Sequence, residues 1–204
     1  MCRVHEDMSQ LRALAVNLSR ESGRNVDVIE YGLKVGLYNL GGMFGVAGVG
    51  WAAGVLPYAL AGYVASGTMR LAGGGGHTTT PVRCIILTSV QFGLVGLIGY
   101  HVGPLVAGPP LYGISAGILL FLMYTVLRFA PRDTPNKPIS RERGRRLKRW
   151  AVIVWAFWAG VIAWAQVAGV SAALVLPVLL GLGVQGQALV PEPQSKQCGG
   201  GENR

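Results

Sequence analysis

Charge is what this sequence most lacks. Only 13% of its 204 residues are Asp, Glu, Lys or Arg, roughly half the usual share of about 25% in soluble domains. No charged residue occurs from Val35 to Met69, from Cys84 to Leu127 or from Trp150 to Pro191. These runs of 35, 44 and 42 residues hold 121 of the 204. About 20 apolar residues carry a helix across the hydrocarbon core, so each run suffices for one or two crossings. The shortage excludes a soluble globular domain, a disordered tail and a nucleic-acid-binding module. Ionisable groups are nearly absent from the runs as well. The exception is His101, beside a Gly-Pro turn, which reads as an interfacial residue rather than a proton relay. Ion-coupled transport therefore has no specific support. Cysteine is scarce too, with three in the chain. Cys2 and Cys198 lie near the termini and no paired zinc spacing exists, so neither a structural metal nor a cofactor is expected.

What charge there is sits in informative places. Residues 1–34 hold five basic and five acidic side chains, whereas Arg128–Arg149 holds nine basic ones against Asp133 and Glu142. A short basic loop between apolar spans is the positive-inside signal, so the 128–149 loop is expected in the cytoplasm. Its role is either topogenic, through anionic headgroups, or the docking of a partner. Gly103-Pro104 and Gly108-Pro109-Pro110 divide the second run into a helical hairpin, and Gly169-Val170-Ser171 divides the third. The 35–69 run, with Pro57 and many glycines as breaks, fits two short crossings or one crossing plus a half-helix. Two crossings give about six spans and place both termini inside. All three cysteines then face the reducing side, which argues against disulfides and makes Cys2 and Cys198 free surface thiols.

The fold class expected is thus an all-α integral membrane protein, a polytopic helical bundle forming a single domain over 1–204. Four spans are clear, and two more fall within 35–69. Residues 1–34 lack the short apolar core and cleavage site of a signal peptide. Met8, Leu11, Leu14, Ala15 and Leu18 recur there at helical spacing. That periodicity fits an amphipathic helix lying on the membrane or one packed against the bundle. Gly41, Gly42, Gly45, Gly48, Gly50 and Gly54 are read as sites of close helix approach, which also allows a homodimer.

One loop looks chemical. The segment 70–84 holds Arg70, four consecutive glycines, His77, Arg83 and Cys84. A thiolate is a nucleophile, a nearby imidazole can take its proton, and neighbouring arginines favour the anion. Glycines give the loop freedom to bring His77 back toward Cys84. The plain alternatives stay open: a packed cysteine at a helix start and a solvated histidine in a turn.

Two blocks resemble the accessory gene regulator B (AgrB-like) family. The first is Gly74-Gly75-Gly76-His77 with Thr80-Pro81-Val82-Arg83-Cys84 and then Thr88-Ser89. The second is Phe129-Ala130-Pro131-Arg132-Asp133-Thr134-Pro135-Asn136-Lys137-Pro138-Ile139, followed by Glu142 and a basic run. The resemblance extends roughly from Val4 to Val190. Gly76 stands where the family usually has an aromatic and Thr78 where it has a small alanine, changes that bear on how substrate is held.

The resemblance implies a cysteine endopeptidase of the bacterial cell membrane. Its substrate would be the precursor of a cyclic autoinducing peptide in quorum sensing. Carried over by motif, Cys84 is the nucleophile and His77 the general base, with the catalytic loop on the cytoplasmic side. Cleavage would leave an acyl-enzyme thioester, resolved when the peptide closes into a thiolactone or lactone. Asp133 could orient His77, or its carboxylate could cap a local turn. The partners expected are the precursor peptide and the bilayer, with no nucleic acid. The competing reading is a small membrane exporter of the peptide without covalent chemistry.

Overall fold

A computed structural model describes residues 3–23, 25–74, 81–130 and 141–190. The described residues form seven α-helices and no strand: α1 (Arg3–Ser22), α2 (Val26–Ala52), α3 (Leu56–Gly73), α4 (Pro81–Val102), α5 (Pro109–Phe129), α6 (Arg141–Val167) and α7 (Ala172–Leu189). Local chemistry explains where they begin and end. The Asn25 side chain accepts the Asp27 amide at 2.8 Å and caps α2. Gly54, with φ of 70°, turns the chain between α2 and α3, and proline sits in the first turn of α3. Gly103–Val106 makes one 3-10 turn before Gly108 (φ 84°) and Pro109 start α5. Gly169 (φ 69°) and the N-cap Ser171 separate α6 from α7. The 35–69 run thus forms the greater part of α2 and nearly all of α3.

Among the described residues, four helical stretches are long and apolar enough to cross a membrane: Val82–Val106, Pro109–Phe129, Gly144–Val167 and Ala172–Leu189. The protein is a polytopic helical membrane protein. Its outer surface agrees, since Phe44, Trp51, Leu105, Leu120, Trp164 and Val167 are all exposed. On α6 the exposed residues Trp150, Ile153, Phe157, Trp164 and Val167 recur along one face, the arrangement that lipid solvates.

Pairings between helices give their directions. A Cβ on Gly41 or Gly45 of α2 would strike Ile85 or Ser89 of α4, and one on Gly93 of α4 would strike Val49. These two helices therefore run the same way. Gly62 of α3 meets Pro177 of α7, while Gly73 meets Leu189, so α3 and α7 are also parallel. Gly96 and Gly103 of α4 meet Ala59 and Ala173, which sets α4 against both. Trp155 of α6 donates to the Leu119 carbonyl of α5 at 2.9 Å, and Gln166 to Ser115 at 2.6 Å, an antiparallel pair. Helices α2 to α7 thus alternate in direction. The end of α3, the start of α4, the end of α5 and the start of α6 lie at one end of the bundle, and the turns at 53–55, 103–108 and 168–171 lie at the other.

Lipid tails solvate leucine as well as another helix does, so cohesion inside a bilayer comes from close packing and interhelical hydrogen bonds. The closest approach to a neighbouring backbone joins α3 and α7. A Cβ on Gly181 would sit 2.2 Å from the Gly62 carbonyl oxygen, closer than any side chain allows. Met69, Leu122, Leu179, Leu182 and Leu189 fill the centre with no exposure above 0%. By contrast, Gly48 meets nothing within 4 Å, and Gly54 serves a turn rather than a contact.

The amphipathic α1 packs on α2. Ala15 is wholly buried there, while Leu14 and Leu18 stay exposed. The helix is therefore both docked and left with apolar side chains for a membrane surface. Its Arg12 lies within electrostatic reach of Glu30 on α2. A hydrogen bond from Lys34, aided by the charges of Lys34 and Arg12, holds the Glu30 carboxyl below its ordinary value.

Candidate active site

Cys84 is the fourth residue of α4 and is half-buried. The first amides of a helix have no intrahelical acceptor, and Pro81 has no amide to lose. The thiol therefore lies in the first turn of a helix, where the backbone N–H groups of Val82, Arg83 and Cys84 face outward along the axis. The axis dipole there favours negative charge.

Helices α2 and α3 both pack on α4. The Tyr63 hydroxyl lies within electrostatic reach of both Cys84 and Arg70. It donates to the Asn39 carbonyl of α2 at 2.8 Å and stacks edge-on against Phe92, ring centroids 5.4 Å apart. Gly42 leaves room for it, since a Cβ there would lie 3.2 Å from the hydroxyl. Glycine at 41, 42 and 45 thus lets α2 lie close beneath the Cys84 turn. Arg70 is half-buried in the last turn of α3, and its Nε has no hydrogen-bond partner among the described residues. Arg83 is exposed, and residues adjacent in a helix do not share a face. Of the two arginines expected to favour the thiolate, Arg70 is the one on the Tyr63 side.

The segment 70–84 is more helical than its composition indicates, because α3 runs to Gly73 and α4 starts at Pro81. His77 lies outside the described residues, as do Asp133 and the two terminal cysteines, Cys2 and Cys198. The segment that bears His77 leaves α3 at Gly74, whose φ of 77° and ψ of −167° suit only glycine. The Gly74 amide returns to the Arg70 carbonyl at 2.9 Å. Its own carbonyl accepts a 2.7 Å bond from Nε2 of Gln185 on α7.

Two residues of this region, Tyr63 and Gln185, were not visible as site residues from spacing alone. The signal for Gln185 was its chemistry, one of three primary amides, with Gln166 and Gln187, in an uncharged run. The basic stretch begins α6 at the same end, where Lys148 donates to the Leu127 carbonyl at 2.5 Å and ties α6 to the end of α5. Arg145, Arg146 and Arg149 are exposed. His101 is exposed at the opposite end, with its ring edge-on to Tyr100 at 4.9 Å.

The family model for accessory gene regulator B matches residues 11–186, which takes in α1 through most of α7. The chain belongs to the accessory gene regulator B family. Among curated relatives it is similar to the AgrB-like proteins of Listeria welshimeri serovar 6b and Listeria innocua serovar 6a. Each is 27% identical over 126 residues, or 61% of this chain and 59% of the relative. The chain thus spans about three fifths of the length of these relatives. No solved structure matches it.

Proposed function

We propose that the protein is a membrane cysteine endopeptidase and peptide cyclase that matures a quorum-sensing signal peptide in the bacterial cell membrane. The observation that carries the reading is the place of Cys84. It is a half-buried thiol in the first turn of a helix, at the bundle end that also bears the exit from α3 at Gly74 and the basic start of α6. Membership of the accessory gene regulator B family supports the same reading. The concentration of basic charge at that end supports a cytoplasmic location for it.

In the reaction, the Cys84 thiolate attacks a carbonyl carbon of the precursor peptide. The resulting oxyanion is stabilised by backbone N–H groups at the start of α4. His77, which has taken the thiol proton, gives it to the departing amine nitrogen as the C–N bond breaks, leaving the N-terminal part of the peptide as a thioester on Cys84. A thiol or hydroxyl within that part then attacks the thioester carbonyl, His77 takes its proton, and the Cys84 thiolate leaves as the ring closes. An intramolecular nucleophile acts at effective molarities of about 10⁵ M or more when well oriented. A site poor in water disfavours hydrolysis of the same thioester.

The test is co-expression with a precursor peptide encoded nearby. The intact protein is expected to yield a truncated, cyclic product, and Cys84→Ala and His77→Ala to yield none. Normal processing by either variant would show that the dyad is wrong.

A further inference from the structure

We infer that Gln185 is a positioning residue for the Cys84 site, its buried amide fixing the point at which the chain leaves α3 for the segment that carries His77. The inference rests on the reading that His77 and Cys84 perform the chemistry.

Five polar residues are buried among the described ones: Ser66, Ser89, Ser115, Thr125 and Gln185. Ser89, Ser115 and Thr125 turn their hydroxyls back to carbonyls of their own helices, three or four residues earlier. That is the ordinary way a hydroxyl is satisfied in an apolar helix. Gln185 does something else. It is 1% exposed and reaches from α7 to the Gly74 carbonyl, 111 residues away in sequence.

The bond falls on a joint. Gly74 adopts a backbone conformation open to glycine alone, so its direction of exit is set by a torsion that few other forces restrain. The Arg70 carbonyl holds its amide and Gln185 holds its carbonyl. Both sides of the joint are thereby pinned, three residues before His77. The helix supplying the pin is itself fixed. Gly181, one turn before Gln185, lies against Gly62 backbone to backbone, and Leu189, one turn after it, lies against Gly73. Helix α7 also packs on α4 through Ala173 and Pro177 against Gly99 and Gly103. Helix α7 is therefore held against α3 on both sides of Gln185 and against α4 at the opposite end of the bundle.

Packing alone does not account for an amide here. The Gln185 Oε1 is buried and has no partner among the described residues. A methionine of similar length would fill the space but could not donate to the Gly74 carbonyl. What the amide contributes beyond packing is the Gly74 bond.

The test compares purified full-length protein with its Gln185→Met and Gly74→Ala variants and the double variant, using the precursor peptide as substrate. Displacement of a catalytic group by about 1 Å costs on the order of 100-fold. Gln185→Met is therefore expected to lower kcat roughly 10- to 100-fold, with KM within about twofold and the protein still folded. Because both residues act through one joint, the double variant is expected to be no slower than the worse single variant. Unchanged kcat in Gln185→Met would overturn the inference. So would a loss that follows the amount of folded protein, or single effects that multiply in the double variant. Cys84→Ala, assayed alongside, separates the two claims. If it loses processing while Gln185→Met is normal, only the role of Gln185 is wrong. If Cys84→Ala still processes the precursor, the functional reading fails and takes the inference with it.

Discussion

The two ends of the bundle are built from different chemistry. The turns at 53–55, 103–108 and 168–171 consist of Gly, Ala, Val, Leu, Pro and Ser and carry no formal charge. At the other end are Lys34, Arg70, Arg83, Arg128 and the basic start of α6, together with Cys84 and the exit at Gly74. The helices between them are largely apolar. One end therefore does no more than reverse the chain, and the other combines a thiol, a helix N-terminus and cationic side chains. A charge distribution of this kind orients the protein in the membrane and, by the same arrangement, brings basic groups to the site.

The comparison is broken most severely at His77, set against His101. His77→Ala is expected to slow precursor processing by on the order of 10²- to 10⁴-fold, the usual contribution of a general base. His101→Ala, at the uncharged end, is expected to leave the rate within about twofold of normal, because an exposed ring there takes no part in proton transfer. Steady-state processing rates of the two variants decide it.

Next in size is the packing that holds the reactive end together. Gly181→Ala places a methyl group against the Gly62 backbone, and overpacking of this kind costs about 1–3 kcal/mol. Gly117→Ala meets nothing within 4 Å and is expected to be neutral or to stabilise its helix by about 0.5–1 kcal/mol. Thermal unfolding in detergent distinguishes the two.

A smaller effect is expected at the basic start of α6. Neutralising Arg145, Arg146 and Arg149 to Gln removes exposed cations, each worth about 0.2–1 kcal/mol in an ion pair with an acidic substrate segment. The KM for precursor should rise about fivefold to tenfold, more at low salt than at high. The alkylation rate of Cys84 should not change. Smallest is Trp158→Phe, which removes the 2.9 Å bond to Thr68 between α6 and α3. Interhelical hydrogen bonds in membranes average about 0.6 kcal/mol, so a loss of that order in unfolding free energy is expected.

Much of this organisation is legible in the residues. Uncharged runs mark the spans because lipid tolerates no formal charge cheaply. Gly103-Pro104, Gly108-Pro109-Pro110 and Gly169-Val170-Ser171 mark the breaks because glycine and proline carry their torsional preferences into any environment. Rotation of each helix about its axis is another matter. A helix that is apolar on all sides has no polar face to orient it, so Gly45 and Gly48 look alike in sequence. In the structure, one abuts Ser89 and the other meets nothing. Arg70 looks like part of a loop, but the favourable packing of Met69 and Ala72 carries α3 through it to Gly73. Tyr63 and Gln185 were invisible for the same reason, since their importance lies in contacts 24 and 111 residues away.

The central claim is covalent chemistry at Cys84, and trapping the intermediate tests it most directly. Purified protein is mixed with precursor, quenched in acid within one turnover, and its cysteine-containing peptides are weighed. The account predicts an adduct on Cys84 with the mass of the N-terminal precursor fragment, released by hydroxylamine as a thioester should be. Cyclic product formed with no adduct on Cys84, or with the adduct on Cys2 or Cys198 instead, would contradict it.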